Sequence, residues 1–194
     1  MMNRVVRAWS ALVVMTLVAA CGTLAPLRTA HVPPVQRDAV SRFELQGRLA
    51  VSDGRQAAFI TIRWLRADQG DVISFDTPLG QTLAQITIDA NEAVLQEANG
   101  RRTTAASADA LAAQVVGTSI PVSRLADWAQ AVAGPAASVR RRDELGRIAL
   151  IAEQGWLVAY PEYASPLPAA MPRRIEAERG DTSVRLVIDE WRSP

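Results

Sequence analysis

Apolar and polar residues alternate from Phe43 onward: Phe43, Leu45, Gly47, Leu49 and Val51 are separated by Glu44, Gln46, Arg48, Ala50 and Ser52. A period of two predicts a half-buried strand. Asp53-Gly54 reads as a hairpin turn, after which Ala58, Ile60, Ile62 and Trp64 keep the same rhythm on a return strand. Residues 72–77 and 83–88 are further β-rich runs, and residues 93–96 and 101–104 flank Asn99-Gly100 as a short hairpin. The period then lengthens. Leu111, Val115 and Val116 fall at helical spacing, with Ser107 suited to the N-cap and Gly117 to the position after the C-cap. A second helix opens at Ser123 behind Pro121, aligns Leu125, Trp128 and Val132, and is expected to stop at Gly134-Pro135. Strand signals return at residues 147–152, 156–160, 175–178 and 183–191, while the proline-rich stretch 161–172 is expected not to form a central strand. The order strands, two helices, strands predicts an α+β domain over residues 42–194, its antiparallel sheet covered on the inner face by the helices.

The N-terminal residues follow another pattern. Arg4 and Arg7 precede an apolar run at residues 8–20, broken only by Ser10 and Thr16. At about 1.5 Å per residue this run is too short to cross a hydrocarbon core of about 30 Å, so residues 1–20 read as a secretory signal. The run ends in Leu17-Val18-Ala19-Ala20-Cys21, which resembles the lipobox of bacterial lipoprotein signals. That resemblance implies cleavage before Cys21, a diacylglycerol on its sulfur and an acyl group on its new amine. Gly22, in place of an Asp that would retain the product in the inner membrane, points to the outer membrane. The alternative is an ordinary signal with an unmodified Cys21. Residues 21–41 carry Pro26, Pro33, Pro34 and His31 without an apolar period, and are expected to be a lipidated cysteine followed by a flexible tether reaching about 25 Å.

Composition narrows the chemistry. All 21 basic residues are arginine, against 20 acidic ones, for a formal charge of +1. Without lysine there is no Walker-type lysine or Schiff-base amine, and a scattered, nearly balanced charge argues against nucleic-acid binding. Cys21 is the only cysteine and His31 the only histidine, and both precede the domain. Ser-His-Asp, Cys-His and histidine-metal sites therefore lack essential parts, and neither an enzyme nor a metal site is expected. Asp189 and Glu190, neighbours on a strand, point to opposite faces and make a poor acid/base pair. Arg140-Arg141-Arg142 before Asp143-Glu144 reads as a solvated, self-compensated turn, with a docking patch for an acidic partner as the alternative.

Several strings in this order resemble the LolB family of outer-membrane lipoprotein receptors. They are Gly47-Arg48-Leu49-Ala50-Val51, Trp64, Thr77-Pro78-Leu79-Gly80, Ile120-Pro121-Val122 with Leu125 and Trp128, Gln154-Gly155-Trp156, Leu167-Pro168, and Arg185-Leu186-Val187-Ile188-Asp189 before Trp191. The Ala-rich stretch after Trp128 departs from the family, which reaches its Gly and Pro sooner. The resemblance implies an unclosed β-barrel with helices over a hydrophobic cavity. Implied partners are a LolA-like periplasmic carrier, acylated lipoprotein cargo and outer-membrane lipid, with no cofactor beyond the lipid on Cys21; a monomer is expected. A 16-carbon acyl chain contributes about 12 kcal/mol at roughly 0.8 kcal/mol per methylene, so such cargo needs a dry carrier to cross water. Trp64, Phe75, Ile86, Leu95 and Trp156 are the candidate cavity residues. Pro78 and Gly80 force a turn that exposes Leu79, and the resemblance assigns that leucine to membrane insertion. A passive scaffold lipoprotein that carries no acyl chain is the competing reading.

Overall fold

The computed structural model describes residues 32–77, 79–116 and 120–193. Eleven strands are present among them: β1 (Phe43–Ser52), β2 (Ala57–Ala67), β3 (Gly70–Asp76), β4 (Thr82–Ile88), β5 (Ala93–Glu97), β6 (Arg102–Ala105), β7 (Ser138–Arg142), β8 (Ile148–Glu153), β9 (Trp156–Tyr163), β10 (Pro172–Arg179) and β11 (Thr182–Arg192). Two helices, α1 (Ala108–Val116) and α2 (Val122–Trp128), lie between β6 and β7 in the chain.

The strands form one antiparallel sheet in the order β6-β5-β4-β3-β2-β1-β11-β10-β9-β8-β7. It is curved and unclosed, with β6 and β7 as its edges. Two meanders, β1–β6 and β7–β11, meet where β1 pairs with β11. That junction carries a bulge between Gln46 and Gly47. A Cβ on Gly47 would lie 2.2 Å from the carbonyl oxygen of Val187, so the close approach of the two strands requires glycine here.

The alternation read from the sequence decides which face is buried. Phe43, Leu45, Ile62, Trp64 and Ile73 join Ile151, Val158, Ile175, Val184, Leu186 and Ile188 in the main core, together with Trp128 of α2. A smaller core of Ala93, Leu95, Ala105, Ala108 and Leu111 ties α1 to β5 and β6. At the base of β1, Phe43 stacks on Trp191 with centroids 4.7 Å apart, while Arg66 grips Asp71 through two 2.7 Å hydrogen bonds.

Four expectations about the secondary-structure elements need correction. The second helix ends at Trp128, well before Gly134. Its C-terminus closes as a Schellman motif: Val132 N–H donates to Asp127 O at 2.9 Å and Ala131 N–H to Trp128 O at 3.0 Å, with Ala131 at φ 54°. An alanine occupies the left-handed position where glycine is the usual signal, and this moved the expected stop to Gly134. The first hairpin forms as expected, but its connection is longer than Asp53-Gly54 alone: residues 53–56 separate its strands, and Asp53 Oδ1 accepts hydrogen bonds from the N–H groups of Arg55 and Gln56. Pro161 lies inside β9, where pairing with β10 shifts between Arg174 and Glu176; the irregularity removes the need for a ladder donor at Pro161.

The fourth correction concerns the arginine triplet, which is no turn: it lies on β7, paired to β8 alone. Asp143 is occupied by its own loop, accepting from the N–H groups of Leu145 and Arg147 and from Arg147 Nε at 2.7 Å. Burial works to raise the Asp143 pKa, but these hydrogen bonds and the Arg147 charge outweigh it and hold the carboxyl below its ordinary range.

Residues 33–40, expected to belong to a flexible tether, are held against the domain. Val35 N–H donates to Gly146 O at 2.9 Å, Arg142 Nη1 donates to Val35 O at 3.1 Å, and Val40 N–H donates to the buried Gln130 Oε1 at 2.7 Å. Arg37 donates to Pro168 O at 3.0 Å and to Ala170 O. Tyr163 lies between Arg37 and Arg147, whose guanidinium carbons are 5.8 and 4.1 Å from its ring centre. Burial pushes the Tyr163 phenol up to about 12, and its hydroxyl donates to Ile148 O at 2.6 Å. Residues 33–40 thus form a strap bound to the domain.

Candidate functional site

The inward phase of the first meander supplies one wall of a recess: Leu49 and Val51 of β1, Ile60, Ile62 and Trp64 of β2, Ile73 and Phe75 of β3, Ala84 and Ile86 of β4, and Leu95 of β5. The other wall comes from Leu111, Ala112 and Val115 of α1, from Val122 and Leu125 of α2, and from Ile120 before it. The recess has a volume of about 630 Å³. That lies within the range of roughly 300–1,000 Å³ in which small-molecule sites bury a ligand. The polar lining residues are Asp53, Gln56 and Glu97, all at the end of the sheet where β1 turns into β2. Among the described residues the lining is mostly aliphatic and aromatic and contains no histidine, cysteine or serine.

The turn between β3 and β4 stands at the same end. Thr77 organises it: its carbonyl accepts from Gly80 N–H at 2.9 Å, its N–H donates to Gln81 O at 2.8 Å, and its hydroxyl accepts from Gln81 N–H at 3.1 Å. Gly80 sits at φ 82°, which a side chain would strain. Below the turn, buried Asp76 accepts from Thr82 Oγ1 at 2.7 Å and from Arg63 Nη2 at 3.0 Å. This bracing holds Leu79 out, 91% exposed. Phe59, 81% exposed, and the exposed Leu83 flank the mouth.

The helices are held unequally. Trp128 Nε1 donates to Glu153 Oε2 at 2.9 Å, and Arg124 Nε lies 2.9 Å from Glu153 Oε1, an ion pair around a carboxylate only 3% exposed. Arg124 also pairs with Asp127. α2 is therefore fixed to the second meander by buried polar contacts. α1 rests on the smaller core and is joined to α2 by Asp109, which accepts from Ser123 N–H at 2.8 Å and from Ser123 Oγ at 2.9 Å.

Of the residues singled out from the sequence, Trp64, Phe75, Ile86 and Leu95 stand on the recess wall. Trp156 does not line it; it is buried in the main core, 6.0 Å from Trp128 between ring centres, with the Arg179 guanidinium over its ring. Its strand β9 lies two strands beyond β11, among the described residues the one strand of the far meander that reaches the recess, and alternation alone could not reveal that placement. Pro78 and Cys21 lie outside the described residues. Sequence reading overlooked Phe59 and Leu83. Phe59 carries a signal, since it falls on the polar phase of β2 beside Thr61 and Arg63.

Residues 41–191 match the family model described as outer membrane lipoprotein LolB. The outer-membrane lipoprotein LolB of Azoarcus sp. (strain BH72) is 41% identical over 175 residues, covering 90% of this chain and 89% of that protein. Its counterpart in Thiobacillus denitrificans is 34% identical over 175 residues, covering 89% of this chain and 90% of that protein. Among solved structures, a LolA superfamily protein from Nitrosomonas europaea superposes with a TM-score of 0.50 at 9% identity, covering 81% of this chain and 88% of that one. A DUF1329 family protein from Desulfovibrio piger gives 0.52 at 7% identity, with 80% and 86% covered. These likenesses concern the fold, whereas family membership rests on the sequence matches. A sheet of this topology with an apolar recess, joined to those matches over nearly the whole domain, places the chain in the outer membrane lipoprotein LolB family.

Proposed function

We propose that this protein is a lipid-anchored outer-membrane receptor that takes acylated lipoproteins from a LolA-like periplasmic carrier into its apolar recess and inserts them into the outer membrane. Cys21 carries the S-diacylglycerol and N-acyl lipid. The recess holds the acyl chains, with Trp64, Phe75, Ile86 and Leu95 on its wall, and the turn of Pro78, Leu79 and Gly80 engages the bilayer at release. The observation that carries this reading is the placement of the recess mouth and the exposed Leu79 at one end of the sheet. An acyl chain leaving the recess passes the residue best suited to enter hydrocarbon first.

The receptor performs no bond chemistry in this account. Transfer runs downhill from a weaker cavity to a stronger one and then to the bilayer, where burial of each methylene contributes roughly 0.8 kcal/mol. The competing scaffold reading requires no acyl binding, so a transfer assay separates the two. A Cys21→Ala chain, free of its own anchor, is mixed with a carrier loaded with lipoprotein and then with vesicles. We expect cargo to co-purify with this protein and afterwards to enter the vesicles. With Leu79→Glu, cargo still binds but insertion falls to the level without receptor. Failure to take up cargo while folded supports the scaffold, and insertion at the normal rate by Leu79→Glu removes that residue's assigned role.

A further inference from the structure

Adjacent strands run in opposite directions, so the sheet has two ends that can be told apart. The turns at residues 53–56, 77–81, 98–101, 154–155 and 180–181 share one end with the recess mouth. The turns at residues 68–69, 89–92, 143–147 and 164–171 form the other. The strap enters the domain at this second end, with Val35 hydrogen bonded to Gly146 and Arg37 to the 164–171 loop. Where the strands are seven to eleven residues long the two ends lie roughly 25–35 Å apart along the strand direction, and at β7 and β8, five and six residues long, they lie closer together.

Beside the strap lies the free edge of the sheet. Arg142 of β7 is used by Val35 O and Gly146 O. Arg140 and Arg141 are exposed, and among the described residues neither side chain has a hydrogen-bond or ion-pair partner; Asp143 is committed to Arg147. Most other exposed arginines of the sheet are paired, as with Arg48 to Asp189 and Arg185 to Glu176. Cys21 precedes Val32 by eleven residues, a span of at most about 40 Å even when fully extended. A domain anchored through that segment keeps its strap end within about 40 Å of the lipid, while its mouth can stand a strand length farther off.

We propose that the Arg140-Arg141 edge of β7 is a second membrane contact, seated on the anionic head groups of the bilayer that holds the chain's own lipid, so that the receptor rests with its recess mouth facing away from that bilayer. This orientation rests on the reading that Cys21 is lipidated. It matches charge to charge, since arginines close to an anionic surface are attracted to it. The resting molecule thus presents its mouth to an arriving carrier, and Leu79 reaches the bilayer only after the domain turns over.

The test uses the mature lipidated chain, in which Cys21 is occupied and an introduced cysteine can be labelled alone. Ala164→Cys places a fluorophore at the strap end and Asn99→Cys places one at the mouth end, both exposed. Energy transfer to a head-group-labelled lipid is read in phosphatidylcholine vesicles with and without phosphatidylglycerol. We expect the Ala164→Cys probe to transfer more strongly, chiefly in the anionic vesicles. Arg140→Gln with Arg141→Gln should lower the ratio of oriented to unoriented molecules there by roughly ten- to thirty-fold. A chain without lipid on Cys21, which fails to float with neutral vesicles, overturns the anchoring and the orientation with it. A lipidated chain whose two probes transfer equally, or whose orientation ignores phosphatidylglycerol or the double substitution, overturns the orientation alone.

Discussion

Glu153 illustrates how a few buried polar atoms set the position of a whole helix. Its two carboxylate oxygens are divided between Trp128 and Arg124, so neither is left without a partner in the core. Trp128→Phe keeps the apolar packing against Trp156 but strands Oε2. Removing one partner of a buried group costs about 1–3 kcal/mol, and urea unfolding should show at least that loss. A loss near zero would mean that water reaches Glu153 and that the brace on α2 is nominal. Asp143 offers a second check at single-group resolution. Its folded pKa lies below the ordinary 3.8, so its contribution is full above that value and is lost as pH falls through the folded pKa. Protection of the Leu145 and Arg147 amides, relative to their intrinsic exchange rates, should fall only below about pH 4. Absence of protection already at neutral pH would show that the carboxylate does not organise the loop.

Elements were legible where one periodicity ran unbroken. β1, β2 and β11 have a clean apolar phase and were placed to within a few residues, because a half-buried strand writes its inward face directly into the chain. β7 was missed because three arginines on an edge strand leave no apolar phase to read. α2 was extended too far because its stop uses alanine in a conformation normally assigned to glycine. The site was legible in part for the same reason. Strand phase identified Trp64, Phe75, Ile86 and Leu95 as inward, whereas which inward residues face the recess depends on the curvature of the sheet and the seat of α1. That seat rests on little. Leu111 is fully buried in the small core and also forms part of the recess wall. Leu111→Ala should cost about 2–5 kcal/mol if α1 unfolds only with the whole domain. We expect instead a smaller loss of global stability together with a marked rise in amide exchange confined to α1, β5 and β6, the pattern of an element that opens on its own.

At the level of the molecule, recess and strap occupy different places. The strap is bound beside the 143–147 and 164–171 turns, α2 is braced against the far meander, and the recess opens between the near meander and α1, so the recess mouth and the strap lie at opposite ends of the same sheet. The β1–β11 junction has a consequence for how this chain is made. All other neighbours in the sheet are consecutive in sequence, whereas this pair joins the first strand to the last. As the chain emerges from its N-terminus, β1–β6 can zip up early, yet they expose an apolar face and an unpaired β1 until the final dozen residues arrive. Closing so long a loop is slow, and a half-finished sheet with an open edge invites association. A receptor built to shield other proteins' lipids therefore spends its own biogenesis as an aggregation-prone client, which makes the step that delivers β11 the point at which its synthesis is most vulnerable.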